Sequence, residues 1–397
     1  MGVYESLGLT PVINASGAVT RLGGAPMSKT VLNAFHEAAG DWVPLDRLQA
    51  AACKMIGQVT GAEAGIVTAG SAAALTLGAA AIMARMDLGR MERLPQTDGF
   101  VDEFVVAREH RNGYDHAVRA AGAKFVEVGY NEITAGAGVR RVEVWEYEAA
   151  FTERTAGVFY VYLDNSAPPL KEVVKAAHRH ELPVLVDAAG ELPPRSNLTL
   201  ASVTGADLVA LSGGKAIRGP QSSGILCGRR DLIGSAALQM LDMDDHFELW
   251  EPPSALFDAD QLDGAPRHGI GRAMKVSKEE IVALMTALAL FASGGYDDEI
   301  PAQLARLQSI ADKLGQGDVE FQLHEALNGE SSPILEVYVS DADDVTAVEV
   351  CRNLRQGTPP IYVSHGKLSQ GILVVHPLCM SDEGAASLAD RLLEELG

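Results

Sequence analysis

The stretch Leu182–Gly190, LPVLVDAAG, decides the fold. Val184, Leu185 and Val186 run on without a polar break. That is the mark of a strand buried on both faces, which occurs in parallel sheets covered by helices. The strand ends on Asp187. The same design returns at Ala206–Ser212, ADLVALS, and further upstream at Glu103–Ala107, Lys124–Val128 and Gly157–Leu163. Stretches that read as helices, Asp115–Ala121, Leu170–His180 and Leu198–Thr204, fill the gaps. This alternation predicts an α/β domain with a mainly parallel sheet. Upstream, Gly65–Thr68 is a short apolar run, and Ala69-Gly70-Ser71 opens a long Ala/Leu helix to about Met86. Before it, residues 28–59 read as helices. Downstream, Lys275–Ser293 reads as one long helix. A smaller α+β unit follows, with strands at Ile334–Val339 and Ile372–His376 and helices at Thr346–Gln356 and Ser381–Leu396. The expected organisation is an N-terminal arm over residues 1–30, a large domain over 31–290 and a small domain over 291–397.

Length and composition agree with this. The 397 residues correspond to two or three domains at roughly 150 residues each. With 32 basic and 53 acidic residues, the net charge is −21. Nucleic-acid binding by phosphate neutralisation needs clustered Lys and Arg, so it is excluded as a first expectation, as is an anionic membrane surface. The four cysteines, Cys53, Cys227, Cys351 and Cys379, show no CxxC and no metal-like spacing, and read as reduced thiols. The first residues lack the pattern of a signal peptide, and Ala62–Ala84 is too weakly apolar to span a membrane. A cytoplasmic protein is expected.

The sharpest chemical feature is Leu211–Gln221, LSGGKAIRGPQ. A buried strand delivers Lys215 into a loop of small residues, where its pKa can fall and its amine become a Schiff-base nucleophile. Read alone, it is equally a surface lysine in a glycine loop. Asp187 ends its strand at the sheet's C-terminal edge, where α/β proteins bind ligands, although Asp also caps helices there. A Lys and an Asp so placed are what pyridoxal 5'-phosphate requires: the Lys holds its carbonyl, and the Asp keeps the pyridine nitrogen protonated. Gly70, Ser71 and Ala72, at a helix N-terminus, form a candidate phosphate site, and Ser212 can add a hydroxyl to it.

With these parts in order, the chain resembles the fold-type I pyridoxal-phosphate enzymes, in the branch related to bacterial seryl-tRNA selenium transferase. Val12–Gly17, VINASG, is similar to that family's INATG, and Ala25–Ser28 to its APLS. SGGKAIRGPQSSGILCGRRDLI is similar to its block around the cofactor lysine. Arg108-Glu109-His110 with Gly113, and Gly271–Lys275 with Lys278, fall at two further family segments. The resemblance implies an aspartate aminotransferase-like large domain with a mainly parallel seven-stranded sheet, a small C-terminal domain, and active sites at the interface of a homo-oligomer of at least two copies. It also makes Lys215, Asp187, Gly70, Ser71 and Ser212 the cofactor residues. VINASG begins at residue 12, so the tRNA-binding region of a selenium transferase is not expected here; its HTNLGR run is reduced to Thr20–Gly24, and the charge is wrong for tRNA. Selenium transfer is rejected. The small-substrate members, of the D-glucosaminate-6-phosphate ammonia-lyase kind, are closer.

His110, just past the strand EFVVA, is the candidate for stacking on the cofactor ring, with His116 and Tyr114 as fallbacks. Asn165, at the end of GVFYVYLDN, is placed against the cofactor's 3-hydroxyl. Arg218 and Arg272 are candidates for gripping a substrate carboxylate or phosphate, or else they are structural ion pairs. Adjacent residues on a helix do not converge, so Asp244-Asp245-His246 is not read as a metal site and no metal is expected. The expected reaction is α,β-elimination from a small amino acid, giving a 2-oxo acid and ammonia, with Lys215 as the base at Cα. Racemisation or epimerisation, retro-aldol cleavage, transamination and a non-catalytic binding role use or leave the same residues.

Overall fold

The computed structural model describes residues 2–130, 141–242, 244, 246–317, 319–326, 331–340 and 345–396. Two compact units form: Met27–Leu192 with Ser196–Ala289, and Met1–Pro26 with Pro193–Arg195 and Leu290–Gly397.

In chain order the first strand is β1 (Ile13–Ala15), which belongs to the smaller unit. The larger unit follows with β2 (Ala64–Thr68), β3 (Glu103–Ala107), β4 (Lys124–Val128), β5 (Thr155–Val161), β6 (Val184–Asp187), β7 (Leu208–Ser212) and β8 (Gly224–Gly228). These seven make one sheet in the order β2-β8-β7-β6-β5-β3-β4. Every pair is parallel except those of β8, which runs against both neighbours. The mainly parallel seven-stranded α/β fold read from the sequence is therefore the fold.

The apolar runs behave as parallel strands must. All of β2 and β6 and most of β7 are buried. The helix Gly70–Ala84, GSAAALTLGAAAIMA, packs on the sheet and is buried from Ala73 to Ala84. Its small side chains let it approach closely: a methyl at Gly78 would stand 2.7 Å from Leu185 Cδ1. A helix apolar on every side is a core helix, and this one joins Phe104, Phe159, Leu185 and Leu208 in a single cluster.

Parallel strands place their C-terminal ends on one edge. Thr68, Ala107, Val161, Asp187 and Ser212 therefore share an edge, with the N-terminal Gly224 of β8 beside Thr68 and Ser212. The turns leaving Thr68, Ala107, Val161, Asp187 and Ser212 each carry, or begin with, a residue singled out from sequence.

In the smaller unit, β9 (Phe321–His324), β10 (Ile334–Tyr338) and β12 (Ile372–Val375) form an antiparallel sheet, and β1 pairs in parallel with β11 (Ile361–Val363). Helices Ile300–Leu314, Ala347–Gln356 and Asp382–Leu396 cover its buried Leu335, Val337, Leu373 and Val375. Thr346 caps its helix by a reciprocal pair of bonds with Glu349, a device that supplies the missing partners of a first turn. Among the described residues no helix is long and apolar enough to cross a membrane. Cys53, Cys227 and Cys351 are buried free thiols and Cys379 is partly buried.

Candidate active site

The Lys215 loop is built by close packing. Gly213 N–H donates to Ser223 O at 2.9 Å, Gly219 N–H to Gly213 O at 2.8 Å, and Arg218 N–H to Lys215 O at 2.9 Å. A methyl at Gly214 would sit 2.4 Å from Gln221 Cα, so no larger residue fits this turn. Lys215 is half-buried. Its Nζ reaches the turn that leaves the neighbouring strand, where a methyl at Gly190 would stand 3.7 Å from it.

Asp187 ends β6 and is 8% exposed. One carboxylate oxygen accepts from Ala189 N–H at 3.0 Å. Burial raises its pKa, against the opposing pull of that N–H and of the Lys215 charge. A buried carboxylate with so little compensation is costly. A cationic partner such as a protonated pyridine nitrogen would answer that need.

His110 follows β3 in the short turn Arg108–His110 and is 3% exposed. Neither ring nitrogen has a hydrogen-bond partner. Its ring meets the edge of Tyr160 at 4.5 Å and 75°. Burial pulls its pKa down to about 4; Glu109 opposes this and Arg141 adds to it, both by less. It is therefore a neutral, buried, unbonded ring at the sheet edge. The fallbacks are on the surface: Tyr114 is exposed, and His116 is exposed beside Arg119.

Gly70 begins its helix with φ +82°, a conformation glycine adopts without strain. Gly70 and Ser71 are half-buried and Ala72 is exposed. The Gly70–Ser71 peptide lies against β8, where a methyl at Gly224 would be 2.4 Å from Gly70 C and 2.6 Å from Ser71 N. The first N–H groups of a helix lack partners within it and suit an anion. Ser212 closes β7 opposite Gly224, so helix start and hydroxyl converge on one strand end.

One placement differs from the sequence reading. The strand before Asn165 stops at Val161, and Asn165 lies in the exposed turn beyond it. The polar run Asp164-Asn165-Ser166 turns the chain early: Ser166 Oγ donates to Val161 O at 3.2 Å and accepts from Leu163 N–H at 2.9 Å. Arg272 pairs with Asp242 at 2.5 Å, while its Nε is buried without a partner. Arg218 is buried at φ +63°, in a region that costs a non-glycine residue about 1–2 kcal/mol. Such strain gathers at functional sites. Asp245 lies outside the described residues. Asp244 approaches Asp242 and His268, all three exposed.

One residue at this edge escaped the sequence reading. Glu191, four residues after Asp187 in DAAGE, is half-buried. Burial and Asp164 raise its pKa most, Lys215 pulls the other way, and Asp187 adds to the rise. The available signal was a second carboxylate in the turn after a strand-ending Asp.

A seven-stranded, mainly parallel sheet with a lysine, a buried aspartate, an unbonded histidine ring and a helix start at one edge defines a pyridoxal-phosphate enzyme of fold-type I. The Aminotransferase class-V family model matches residues 102–243. Over 99% of this chain and 92% of the relative, the sequence is 30% identical to a 5'-C-glycyluridine monooxygenase-decarboxylase of a Streptomyces species. It is 28% identical to the D-glucosaminate-6-phosphate ammonia lyase of Salmonella typhimurium over 99% of this chain and 97% of the relative. A solved structure of D-glucosaminate-6-phosphate ammonia-lyase superposes with a TM-score of 0.80, at 28% identity, covering 100% of this chain and 98% of that one. The chain belongs to the class-V aminotransferase family of pyridoxal-phosphate enzymes, and pyridoxal 5'-phosphate is its cofactor.

Proposed function

We propose that the protein is a lyase that removes water and then ammonia from a small amino acid, leaving a 2-oxo acid. The observation that carries this is the likeness, along the whole chain, to an ammonia lyase whose solved structure superposes at a TM-score of 0.80. A phosphorylated or D-configured substrate is part of the reading, because the Salmonella relative is named for one.

Bound pyridoxal phosphate supplies an electrophilic carbonyl and an electron sink. Lys215 would hold that carbonyl through its Nζ, and the same Nζ would take the Cα proton of the substrate. Asp187 would keep the ring nitrogen protonated, and burial would strengthen that contact. His110, a neutral imidazole, would pack against the ring. Gly70, Ser71 and Ala72 offer backbone N–H groups to the phosphate, and Ser212 its hydroxyl. Asn165 is assigned the 3-hydroxyl, and Arg218 and Arg272 the substrate's carboxylate or phosphate. All these residues fall within the cofactor domain proposed over residues 31–290, ahead of the small domain over 291–397.

We place the enzyme in the cytoplasm, consistent with its free cysteines, and as a homo-oligomer of at least two copies with the site at their interface. Exposed Leu45, Phe247 and Leu249 border a cavity of about 680 Å³, the kind of apolar surface that a second copy covers.

The test is a product assay on cofactor-loaded protein given D- and L-serine, D- and L-threonine, and D-glucosaminate with and without its 6-phosphate. A 2-oxo acid and ammonia in equal amounts are expected from one of them. Inversion at Cα without a 2-oxo acid would make it a racemase or epimerase. An aldehyde with glycine would make it an aldolase. The Streptomyces relative's name favours a second reading, decarboxylation with dioxygen. Oxygen uptake with release of carbon dioxide in the same assay would establish it.

A further inference from the structure

Elimination of a hydroxyl needs two proton-handling groups. Lys215 takes the Cα proton, so another residue must protonate the departing oxygen. The turn after β6 holds one. Ala188 N–H donates to Ala210 O at 3.0 Å, Glu191 N–H to Ala188 O at 3.2 Å, and Asn197 Nδ2 to Glu191 O at 2.7 Å. These bonds fix Gly190 against Lys215 Nζ, with Glu191 as the next residue. Among the described residues no donor and no cation bonds the Glu191 carboxylate, and the charged or titratable groups that face it are Asp164, Asp187, Lys215 and Tyr162. Two other glutamates of this unit are paired, Glu109 with Arg141 and Glu148 with Arg179. A half-buried carboxylate with two like charges and no donor gains nothing for the fold. Those surroundings favour its protonated form, the form an acid needs.

We propose that Glu191 is the second proton-handling group of this site, the acid that protonates the leaving β-hydroxyl. The proposal rests on the elimination reading above. In the step, the Cα–H bond breaks and its proton goes to Lys215 Nζ. The Cβ–O bond breaks with its electron pair on oxygen, which takes the Glu191 proton and leaves as water. A Cα=Cβ double bond remains, and solvent returns a proton to the Glu191 carboxylate. No oxidant or reductant is required.

The test uses cofactor-loaded wild type, Glu191→Gln and Glu191→Asp, with the substrate from which wild type releases a 2-oxo acid. In deuterated water, exchange at Cα is followed beside 2-oxo acid release. In Glu191→Gln, release should fall on the order of 10²–10⁴-fold, the usual worth of a positioned acid. Exchange should persist within about tenfold of wild type, since Lys215 is untouched, and Glu191→Asp should recover part of the release. A second readout needs no turnover. The pH at which the loaded protein's visible band titrates should stay close to wild type in Glu191→Gln, because a protonated Glu191 and the Gln amide are both neutral beside Lys215. Equal loss of exchange and release would overturn the proposal, as would unchanged release or a titration that moves lower, the mark of an ionised carboxylate. Wild type that exchanges Cα but forms no 2-oxo acid from any substrate would overturn the elimination reading itself, and this inference with it.

Discussion

At the residue scale, chemistry is set by what each side chain lacks. Asp187 and His110 are both nearly inaccessible; the Asp187 carboxylate has one N–H, that of Ala189, and the His110 ring nitrogens have no hydrogen-bond partner. Native interiors leave few groups in that condition, and each calls for an explanation. Here a protonated pyridine nitrogen would answer Asp187, while stacking on that ring would cover the His110 face and leave its nitrogens as they are. Asp187→Asn should therefore weaken the electron sink: kcat/KM should fall on the order of 10²-fold or more, while Lys215 still forms a borohydride-reducible bond. Retained activity in the Asn variant would remove Asp187 from its role. His110 also makes a pH prediction for protein stripped of cofactor. Its pKa falls from 6.5 in the unfolded chain to about 4 in the fold. Between these values the unfolded chain binds the extra proton. Stability is thus fully present above pH 6.5 and is lost as the pH falls toward 4. From pH 7.5 to 5 the loss is about 2 kcal/mol. Urea denaturation at both pH values should show it, and His110→Gln should remove that part. A His110→Gln variant with the same pH dependence as wild type would show the ring is not buried neutral.

At the scale of elements, small residues decide where things can sit. Gly224 sits against the Gly70–Ser71 peptide. Gly224→Ala must push the start of the Gly70–Ala84 helix away from β8. The expected cost is about 1–3 kcal/mol in stability, with weaker cofactor binding from the displaced N–H groups, both read by thermal melts with and without pyridoxal phosphate. A variant that binds the cofactor as wild type does would mean that the helix start is not the anion site. The same principle explains what the sequence disclosed. Strands β3, β5, β6 and β7 were legible because burial on both faces leaves unbroken apolar runs, whereas β4, at the sheet edge, exposes Lys124 and Glu127 and was legible from its alternation. β8, GILCG, was missed: five residues bounded by glycines look like loop, and only its pairing with β2 and β7 makes it a strand. β1 and β11 are three residues each and exist as strands through one another. The helix Ile300–Leu314 was passed over although Leu307, Ile310, Ala311 and Leu314 hold the spacing of one buried face. Lys215 and Asp187 were legible from their strands. Glu191 was not, since what marks it is the neighbourhood of Asp164 and Lys215, assembled from three turns far apart in the chain.

At the scale of the whole molecule, a net charge of −21 keeps the surface soluble and makes copies repel one another. Association must then come from apolar contact. Leu249 is 75% exposed and Phe247 44%, and both face the cavity that Leu45, Trp250 and Arg267 also line. Arg47 and Arg267 supply cations at that rim, beside Asp46, Asp242 and Glu251. If a second copy covers this face, Leu249→Asp places a charge in a desolvated contact and adds like-charge repulsion. Such a change costs several kcal/mol when the charge is left unpaired, enough to move a micromolar assembly to single chains. Light scattering after size exclusion should give a multiple of 42.0 kDa for wild type and a single chain for Leu249→Asp. The cofactor's visible band separates two meanings of that dissociation. Loss of the band with the assembly would mean that the site is completed by the neighbouring copy. A single chain that keeps its band and its turnover would mean that each chain holds a whole site, and a wild type that is already a single chain would end the oligomer proposal.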